Sequence, residues 1–420
     1  MGGGRGAVCD PPRLNRRGYR RNMIIQDQPD VHLTYCLNVH PGEAWEDCFR
    51  AIREKTLAVR KRVAPGKPFG LGLRLGDMAV RELSEPGKRD AFRAYLQAEQ
   101  LYVFTINGFP YGRFHGERVK ERVYQPDWRD ERRREYTIRI ADVLSELMPE
   151  RTNGSISTVP GTYKAWARNG DDALRMAEYM TACVAHFVEL RRRTGREIHL
   201  GLEPEPDCFI ETTEECVRFF RELLFLRGRD HLARLLSCST AEAEEHVRRH
   251  LGVCLDTAHT AIQFEDLSET LDRYQAEGIR LSKIQLSAAL EIANDETGRE
   301  SLRVFDEPVY LHQVRARGAD GRIRAWPDLN EALGELNQEP QGEPVRVHFH
   351  VPLFWRGNPP LGTTASCLDD RFMTRLRTGA CGHLEIETYT FDVLPEEMKT
   401  HDVSESIARE FEWVLGRWAE

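Results

Sequence analysis

The feature that most constrains the fold is an alternation of short apolar runs with amphipathic stretches, which continues over nearly the whole chain. Apolar runs such as 69–75, 101–107 and 198–202 resemble buried strands, and each precedes a segment with helical periodicity. This alternation predicts a parallel sheet covered by helices. Neither Gly-x-Gly-x-x-Gly nor a P-loop occurs, so we predict an α/β fold of the TIM (β/α)8 barrel type rather than an open nucleotide-binding sheet.

The boundaries of this barrel follow from where the alternation starts and where it weakens. Nine strand candidates are present, so either 345–352 is an extra strand or 155–161 is not a true one. We expect 31–420 to form a single barrel with an insertion at about 288–380, where the pattern is less regular. Residues 1–22 are rich in Gly and Arg and lack an apolar run, which predicts a disordered N-terminal extension.

Composition excludes several classes of protein. The formal net charge is -8, which argues against a nucleic-acid binder with a basic face. No run approaches the ~20 apolar residues that a membrane-spanning helix needs. The ten cysteines form no Cys-x-x-Cys pair and several lie in apolar runs, as expected for free thiols in a reducing, cytoplasmic setting.

Metal-competent side chains stand at the ends of the later strand candidates. The apolar run 253–255 stops on Asp256, and His259 follows three residues later. The other strand ends carry Glu203, Gln285 and Glu387. In a barrel the carboxyl ends of the strands meet at one mouth, so we predict a divalent metal held by Glu203, Asp256, Gln285 and Glu387. Because an acid at a strand end also often caps the next helix, that alternative stays open.

The donor types restrict the ion and the chemistry. Oxygen ligands suit Mg²⁺ or Mn²⁺, and a nearby imidazole would also admit Zn²⁺ or Co²⁺. We prefer Glu387 to Glu385 because it lies nearer the strand end. Glu203 and Glu387 form the expected acid/base pair, with His259 as a third catalytic residue, for aldose–ketose isomerisation or epimerisation. A multi-metal phosphoester hydrolase is the alternative.

A further set of residues is predicted to bind a small-molecule substrate. The Gly- and aromatic-rich loop 108–116 contains His115 and follows a strand, as a substrate lid would. His348 and His350 share one face of a strand-like segment. The complete predicted substrate-binding set is His40, Arg74, Asn107, His115, Glu205, His348 and His350.

The segments LEPEP (202–206), VCLDTAH (253–259), KIQLS (283–287) and LEIET (384–388) together resemble the xylose isomerase-like TIM-barrel superfamily. This resemblance implies metal ligands at Glu203, Asp256, Gln285 and Glu387, with His259 as the histidine of an Asp-x-x-His motif. It also implies sugar isomerases, epimerases and barrel-type apurinic endonucleases as relatives. The endonucleases use a histidine-rich trinuclear zinc site, whereas this chain has Gln285 on the seventh strand.

More specifically, the chain resembles the EboE metabolite-traffic family. The resemblance is carried by segments at 33–43, 102–116, 154–164, 202–212, 309–314, 347–352 and 384–395. It implies action on a small polyol or secondary-metabolite precursor. It also implies work alongside other proteins of one gene cluster, including a membrane prenyltransferase-like protein, without direct membrane insertion. A non-catalytic protein that binds a metabolite and hands it over is the alternative to an enzyme.

Overall fold

The computed structural model describes residues 24–27, 30–113, 115 and 118–420. The N-terminal extension predicted at 1–22 lies outside the described residues, as do two residues of the predicted lid, Phe114 and Gly116. Within the described part of the chain, no helix is both long enough and apolar enough to span a membrane.

The described residues form fourteen strands and fifteen α-helices. The strands are β1 Ile24–Asp27, β2 Asp30–Tyr35, β3 Phe69–Arg74, β4 Leu101–Asn107, β5 Gly154–Thr158, β6 Ile198–Leu202, β7 Leu251–Asp256, β8 Arg280–Leu286, β9 Ala288–Ala293, β10 Val314–Arg317, β11 Ile323–Trp326, β12 Pro344–Val351, β13 Gly362–Thr363 and β14 His383–Ile386. The helices are α1 Trp45–Ala51, α2 Leu57–Val63, α3 Asp77–Leu83, α4 Pro86–Ala98, α5 Glu131–Leu147, α6 Gly170–Thr194, α7 Thr213–Phe219, α8 Arg229–Leu236, α9 Thr240–His250, α10 Thr257–Ile262, α11 Leu267–Ala276, α12 Glu296–Leu302, α13 Leu329–Glu335, α14 Asp370–Arg377 and α15 Val403–Ala419. The π-helical segments Ile52–Thr56 and Phe220–Gly228 join α1 to α2 and α7 to α8.

Eight parallel strands form a closed barrel, which confirms the predicted TIM-barrel fold. The strand order is β2-β14-β8-β7-β6-β5-β4-β3, and β1 adds an antiparallel strand beside β2. A parallel bridge between Cys36, just after β2, and Gly72 of β3 closes the ring. Outward-facing residues such as Leu33 and Leu200 belong to one buried apolar cluster with helix residues, including Ile140 of α5. The carboxyl ends of all eight strands therefore share one mouth.

A second, antiparallel sheet lies between β8 and β14 in the sequence. Its order is β11-β10-β12-β9-β13. The segment 345–352 forms most of β12 in this sheet, whereas 154–158 is a barrel strand. Of the nine strand candidates, 345–352 is therefore the one that does not belong to the barrel. Buried Arg315 of β10 ties the sheet to the loop after β6, because its Nη2 donates to Asp207 and Glu211, each at 2.6 Å. This anchor holds β12 over the barrel mouth.

A buried ion pair crosses the barrel interior below the mouth. Lys283 Nζ donates to Glu385 Oε2 at 2.6 Å, and both side chains are fully buried. Gly72 leaves the space for this carboxylate, because a Cβ there would lie 2.0 Å from Glu385 Oε1. A charge left without its partner in this interior is costly, so the two residues act as a unit.

The amino ends of the strands, opposite the mouth, enclose three histidines. The rings of His32 and His199 have centroids 6.0 and 5.4 Å from that of His383. Burial lowers the pKa of His32 to about 4 and lowers those of His199 and His383 well below their usual value. These imidazoles are therefore neutral in the folded protein at neutral pH.

Replacing one member of the buried ion pair should cost more than replacing both. Lys283→Met leaves Glu385 buried without a partner, and we expect a loss of about 3–5 kcal/mol in the free energy of unfolding. The double variant Lys283→Met, Glu385→Leu should recover part of that loss. Urea denaturation measures both values, and a double variant less stable than Lys283→Met would contradict the prediction.

The histidines at the amino ends should make stability depend on pH. Unfolding restores an ordinary pKa near 6.5, so the unfolded chain takes up protons first as the pH falls. The stabilisation is complete above pH 6.5 and declines towards pH 4, by about 3 kcal/mol for His32 alone. In urea denaturation at pH 7, 6 and 5, His199→Phe should flatten this decline and exposed His401→Gln should not. An unchanged decline in His199→Phe would contradict the assignment.

Candidate metal centre

Six buried ligand-type side chains converge at the barrel mouth. Glu203 follows β6, Asp256 ends β7 and Glu387 follows β14, so three barrel strands each deliver a carboxylate. His259 lies in the first turn of α10, directly after Asp256. The insertion provides the other two, because His348 and His350 of β12 face the mouth.

The ligand atoms of these residues form three overlapping groups. In each group, one nitrogen or oxygen atom per residue lies within 4.8 Å of those of the other two residues. The groups are Glu203–Asp256–His259, Asp256–His350–Glu387 and His259–His348–His350. Each of Asp256, His259 and His350 belongs to two groups, so the six residues are one connected cluster.

Four atoms of this cluster are buried and have no hydrogen-bond partner among the described residues. They are Glu203 Oε2, Asp256 Oδ2, His348 Nε2 and His350 Nε2. Buried polar atoms in folded proteins almost always have a partner, because leaving one unpaired costs ~1–3 kcal/mol. Four such atoms in one place indicate a site built for a ligand.

The three imidazoles are all oriented with Nε2 towards the cluster. Nδ1 of His259 hydrogen-bonds the Pro204 carbonyl at 3.0 Å, and Nδ1 of His350 bonds the Glu387 carbonyl at 3.0 Å. A carbonyl only accepts, so Nδ1 is the protonated nitrogen and Nε2 carries the lone pair. Nδ1 of His348 likewise lies 2.7 Å from the side-chain oxygen of Gln313. This is the tautomer in which an imidazole binds a metal through Nε2.

Burial and mutual repulsion set the charges of the carboxylates. Burial, Asp256 and Glu205 raise the pKa of Glu203 well above its usual range, and burial with Glu203 and Asp256 does the same for Glu387. Burial also opposes ionisation of Asp256, but its interactions with His259, His350, Glu387 and Ser287 together lower the pKa. Burial lowers the pKa of His259 to about 4, so this imidazole is neutral and able to ligate. A cation would remove the conflict among the three acids.

Asp256 performs both functions that its sequence position suggested. Its Oδ1 caps α10 by accepting from the backbone N–H groups of Ala258 at 2.8 Å and His259 at 3.0 Å. Ser287 Oγ donates to the same oxygen at 2.7 Å. Within the described part of the chain, no N–H group or hydroxyl donates to Oδ2, which faces the cluster and the raised-pKa carboxyl group of Glu387. The cap therefore fixes the carboxylate and leaves its second oxygen for a ligand.

Gln285, the fourth predicted ligand, is in register with Asp256 on one side but belongs to none of the three ligand groups. It pairs in register with Glu385, not with Glu387, and its side-chain oxygen accepts from Cys254 Sγ at 2.8 Å. The residue of this strand that contacts a cluster carboxylate is Ser287, two positions later. In the sequence, Glu387 was preferred to Glu385 because it lies nearer the end of its strand. The same rule would have selected Ser287 instead of Gln285.

Three predicted substrate-binding residues have structural partners outside the cluster. His40 Nε2 bonds the Tyr35 hydroxyl at 3.0 Å and borders a separate surface cleft. Arg74 donates to the carbonyl oxygens of Gly42, Pro110 and Gly112 and so holds two loops together. His115 bonds the Asn38 carbonyl at 2.6 Å and the Tyr310 hydroxyl at 3.0 Å. These contacts shape the rim of the mouth.

Asn107 and Glu205, by contrast, lie at the cluster. Asn107 Nδ2 is 3.4 Å from Glu387 Oε1, and Asn38, which the sequence did not single out, donates to that oxygen at 2.8 Å. Glu205 Oε1 accepts from the Tyr124 hydroxyl at 2.8 Å, whereas Oε2 is buried and unpartnered. Asn38 was missed because its role rests on a contact with Glu387, which is distant in the sequence and leaves no local pattern.

Comparisons with known proteins find similar structures but no similar sequences, so they inform on the fold alone. The sequence matches no protein-family model and no curated protein. Among solved structures, a xylose isomerase-like TIM-barrel protein from Mycobacterium smegmatis in complex with magnesium is 12% identical, with a TM-score of 0.48 over 92% of this chain and 96% of that chain. The IOLI protein with a bound zinc atom is 9% identical, with a TM-score of 0.45 over 92% and 98%. An L-ribulose 3-epimerase is 11% identical, with a TM-score of 0.41 over 93% and 92%. The structural neighbours thus include metal-bound and epimerase barrels of the xylose isomerase-like type.

Removing a cluster ligand should weaken metal binding. We expect Asp256→Asn and His350→Ala to raise the Kd for Mn²⁺ or Zn²⁺ by at least about tenfold, because each removes an atom that two ligand groups share. Isothermal titration calorimetry gives the Kd. His186→Ala, on the surface of α6, is the control. Equal affinity in all four proteins would contradict the assignment.

Proposed function

We propose that this protein is a divalent-metal-dependent isomerase or epimerase that acts on a small hydroxylated metabolite. The observation that carries the proposal is the set of unpartnered carboxylate oxygens and imidazole nitrogens converging at the mouth of a closed barrel. Mn²⁺, Mg²⁺, Co²⁺ and Zn²⁺ all fit a donor set of carboxylates and imidazoles.

Glu203, Asp256, His259, His348, His350 and Glu387 would hold the metal. A bound divalent ion would polarise a carbonyl or hydroxyl oxygen of the substrate. The imidazole ligands are themselves held in place, because the carbonyls of Pro204 and Glu387 and the side chain of Gln313 fix their three tautomers.

Glu203 and Glu387 are the proposed proton carriers. Glu203 Oε2 has no partner, so it can accept a proton from a substrate carbon or return one to it. Asn38 holds Glu387 Oε1 and thereby fixes the second carboxyl group. Glu205 Oε2 and Asn38 Oδ1 are buried, border the same cavity and lack partners, so they are available to bond substrate oxygens.

We further propose that the protein is of the EboE metabolite-traffic type and works in the cytoplasm with other proteins of one gene cluster. Segments that carry the resemblance also furnish the site: 33–43 contains Asn38, 202–212 contains Glu203 and Glu205, 347–352 contains both β12 histidines, and 384–395 contains Glu387. The net charge of -8 argues against a nucleic-acid substrate.

A multi-metal phosphoester hydrolase is a second candidate. The overlap of three ligand groups favours it, because two groups that share Asp256 have enough donors for two ions. Elemental analysis of metal-saturated protein distinguishes the two functions. One ion per chain would exclude the multi-metal hydrolase, whereas two ions together with hydrolysis of bis(p-nitrophenyl) phosphate would support it.

Proton transfer at carbon gives the direct test of the isomerase. Metal-loaded protein in D₂O should exchange the hydrogen next to the carbonyl of a substrate ketose or hydroxyketone, which proton NMR detects across a panel of compounds. Glu203→Gln should slow the exchange by about 10²–10⁴-fold, because it removes the proton carrier. Exposed Glu214→Gln is the control.

Two outcomes would count against the proposed reaction. Exchange that persists in Glu203→Gln would contradict the role of this carboxylate. No exchange on any compound, despite bound metal, would favour the non-catalytic protein that binds a metabolite and passes it to its cluster partners.

A further inference from the structure

The cavity above the metal centre changes character between its floor and its walls. The floor is polar and consists of four cluster residues together with Glu205 and Asn38; the four are Glu203, His259, His348 and Glu387. The walls are apolar and include Phe109, Val119, Val123, Tyr124, Tyr310 and Tyr389. Val119 and Tyr310 form a small apolar cluster separate from the main core, with Val123 and Tyr389 packed against it. This small apolar cluster borders the polar centre directly.

The hydroxyls of two wall tyrosines, Tyr124 and Tyr310, are already hydrogen-bonded. The Tyr124 hydroxyl donates to Glu205 and accepts from Gln313 at 3.1 Å. The Tyr310 hydroxyl bonds His115 at 3.0 Å. The rings of Phe109 and Tyr124 are stacked with centroids 5.8 Å apart. These contacts commit the hydroxyls of Tyr124 and Tyr310. Because the Tyr124 ring also stacks with Tyr163, with centroids 5.5 Å apart, the aromatic surface that lines the cavity belongs mainly to Phe109, Tyr310 and Tyr389.

Among the described residues of the wall, the charged side chain is that of Lys120, and it already forms an ion pair. Lys120 borders the cavity, but its Nζ donates to Asp328 at 2.6 Å, and each side chain is only 10% exposed. A phosphate on the substrate would have to compete with this buried carboxylate. The hydroxyls of a free sugar would meet apolar walls and lose hydrogen bonds that they make in water.

We propose that the substrate joins a metal-binding pair of oxygens to an apolar, aromatic or alicyclic, body, and that it is neither a free sugar nor a sugar phosphate. This inference rests on the proposed metal-dependent function and specifies its substrate class. The oxygens meet the metal centre, Glu205 and Asn38, and the apolar body lies between the Phe109–Tyr124 and Tyr310–Tyr389 pairs.

Three α-hydroxycarboxylates that differ only at carbon 3 test the inference on the Mn²⁺-loaded protein. They are glycerate, 3-phosphoglycerate and 3-phenyllactate, which carry a hydroxyl, a phosphate and a phenyl group. We expect 3-phenyllactate to bind about tenfold or more tightly than glycerate, because its ring leaves water. The phosphate should bring no gain. Calorimetry measures all three Kd values.

A matched pair of variants locates the preference. Val123→Asn should reduce the affinity for 3-phenyllactate at least about fivefold and change glycerate binding little, whereas exposed Val304→Asn should change neither. Equal binding of the three compounds, tighter binding of 3-phosphoglycerate, or no binding of any compound to metal-loaded protein would overturn the inference and leave the metal centre standing. Failure to bind Mn²⁺, measured beforehand, would overturn the proposed function and the inference with it.

Discussion

The structure depends on three carboxylates buried together at the mouth of a closed barrel. Glu203, Asp256 and Glu387 stand on different strands, and the parallel sheet brings their ends to one place. Burial and repulsion raise the pKa of Glu203 and Glu387, whereas Asp256, which accepts from two backbone N–H groups and the Ser287 hydroxyl, has a lowered pKa. Most other features of the mouth either fix these groups or complete their surroundings.

The insertion is part of the site and not only an addition to the barrel. It is anchored by the buried Arg315 ion pairs and presents β12 across the mouth, so that His348 and His350 approach the carboxylates from the side opposite the strands. The residues that fix these imidazoles come from both parts, because Gln313 belongs to the insertion and Glu387 to the barrel. Loss of either part would leave the other with unpartnered polar atoms.

The sequence predicted the features that depend on hydrophobic periodicity and on the position of a residue along a strand. Strand–helix alternation predicted the barrel, and the polarity of strand ends predicted which acids lie at the mouth. The sequence could not show whether 345–352 is a barrel strand or an extra strand, because a strand pattern does not show which sheet the strand joins. It put Gln285 among the metal ligands, whereas Ser287 is the residue of this segment that bonds Asp256. It also grouped His40 and Arg74 with residues that lie elsewhere. Asn38 and Tyr124 escaped notice because their roles depend on tertiary contacts that leave no local pattern.

The most direct measurement is anomalous diffraction from crystals of the protein grown with Mn²⁺, with data collected at the manganese absorption edge. The proposed centre requires a strong anomalous peak bordered by Glu203 Oε2, Asp256 Oδ2 and the Nε2 atoms of the three imidazoles. A map without a peak there, with the imidazole nitrogens and carboxylate oxygens instead bonded to one another or to ordered water, would contradict the central claim that these residues form a metal centre.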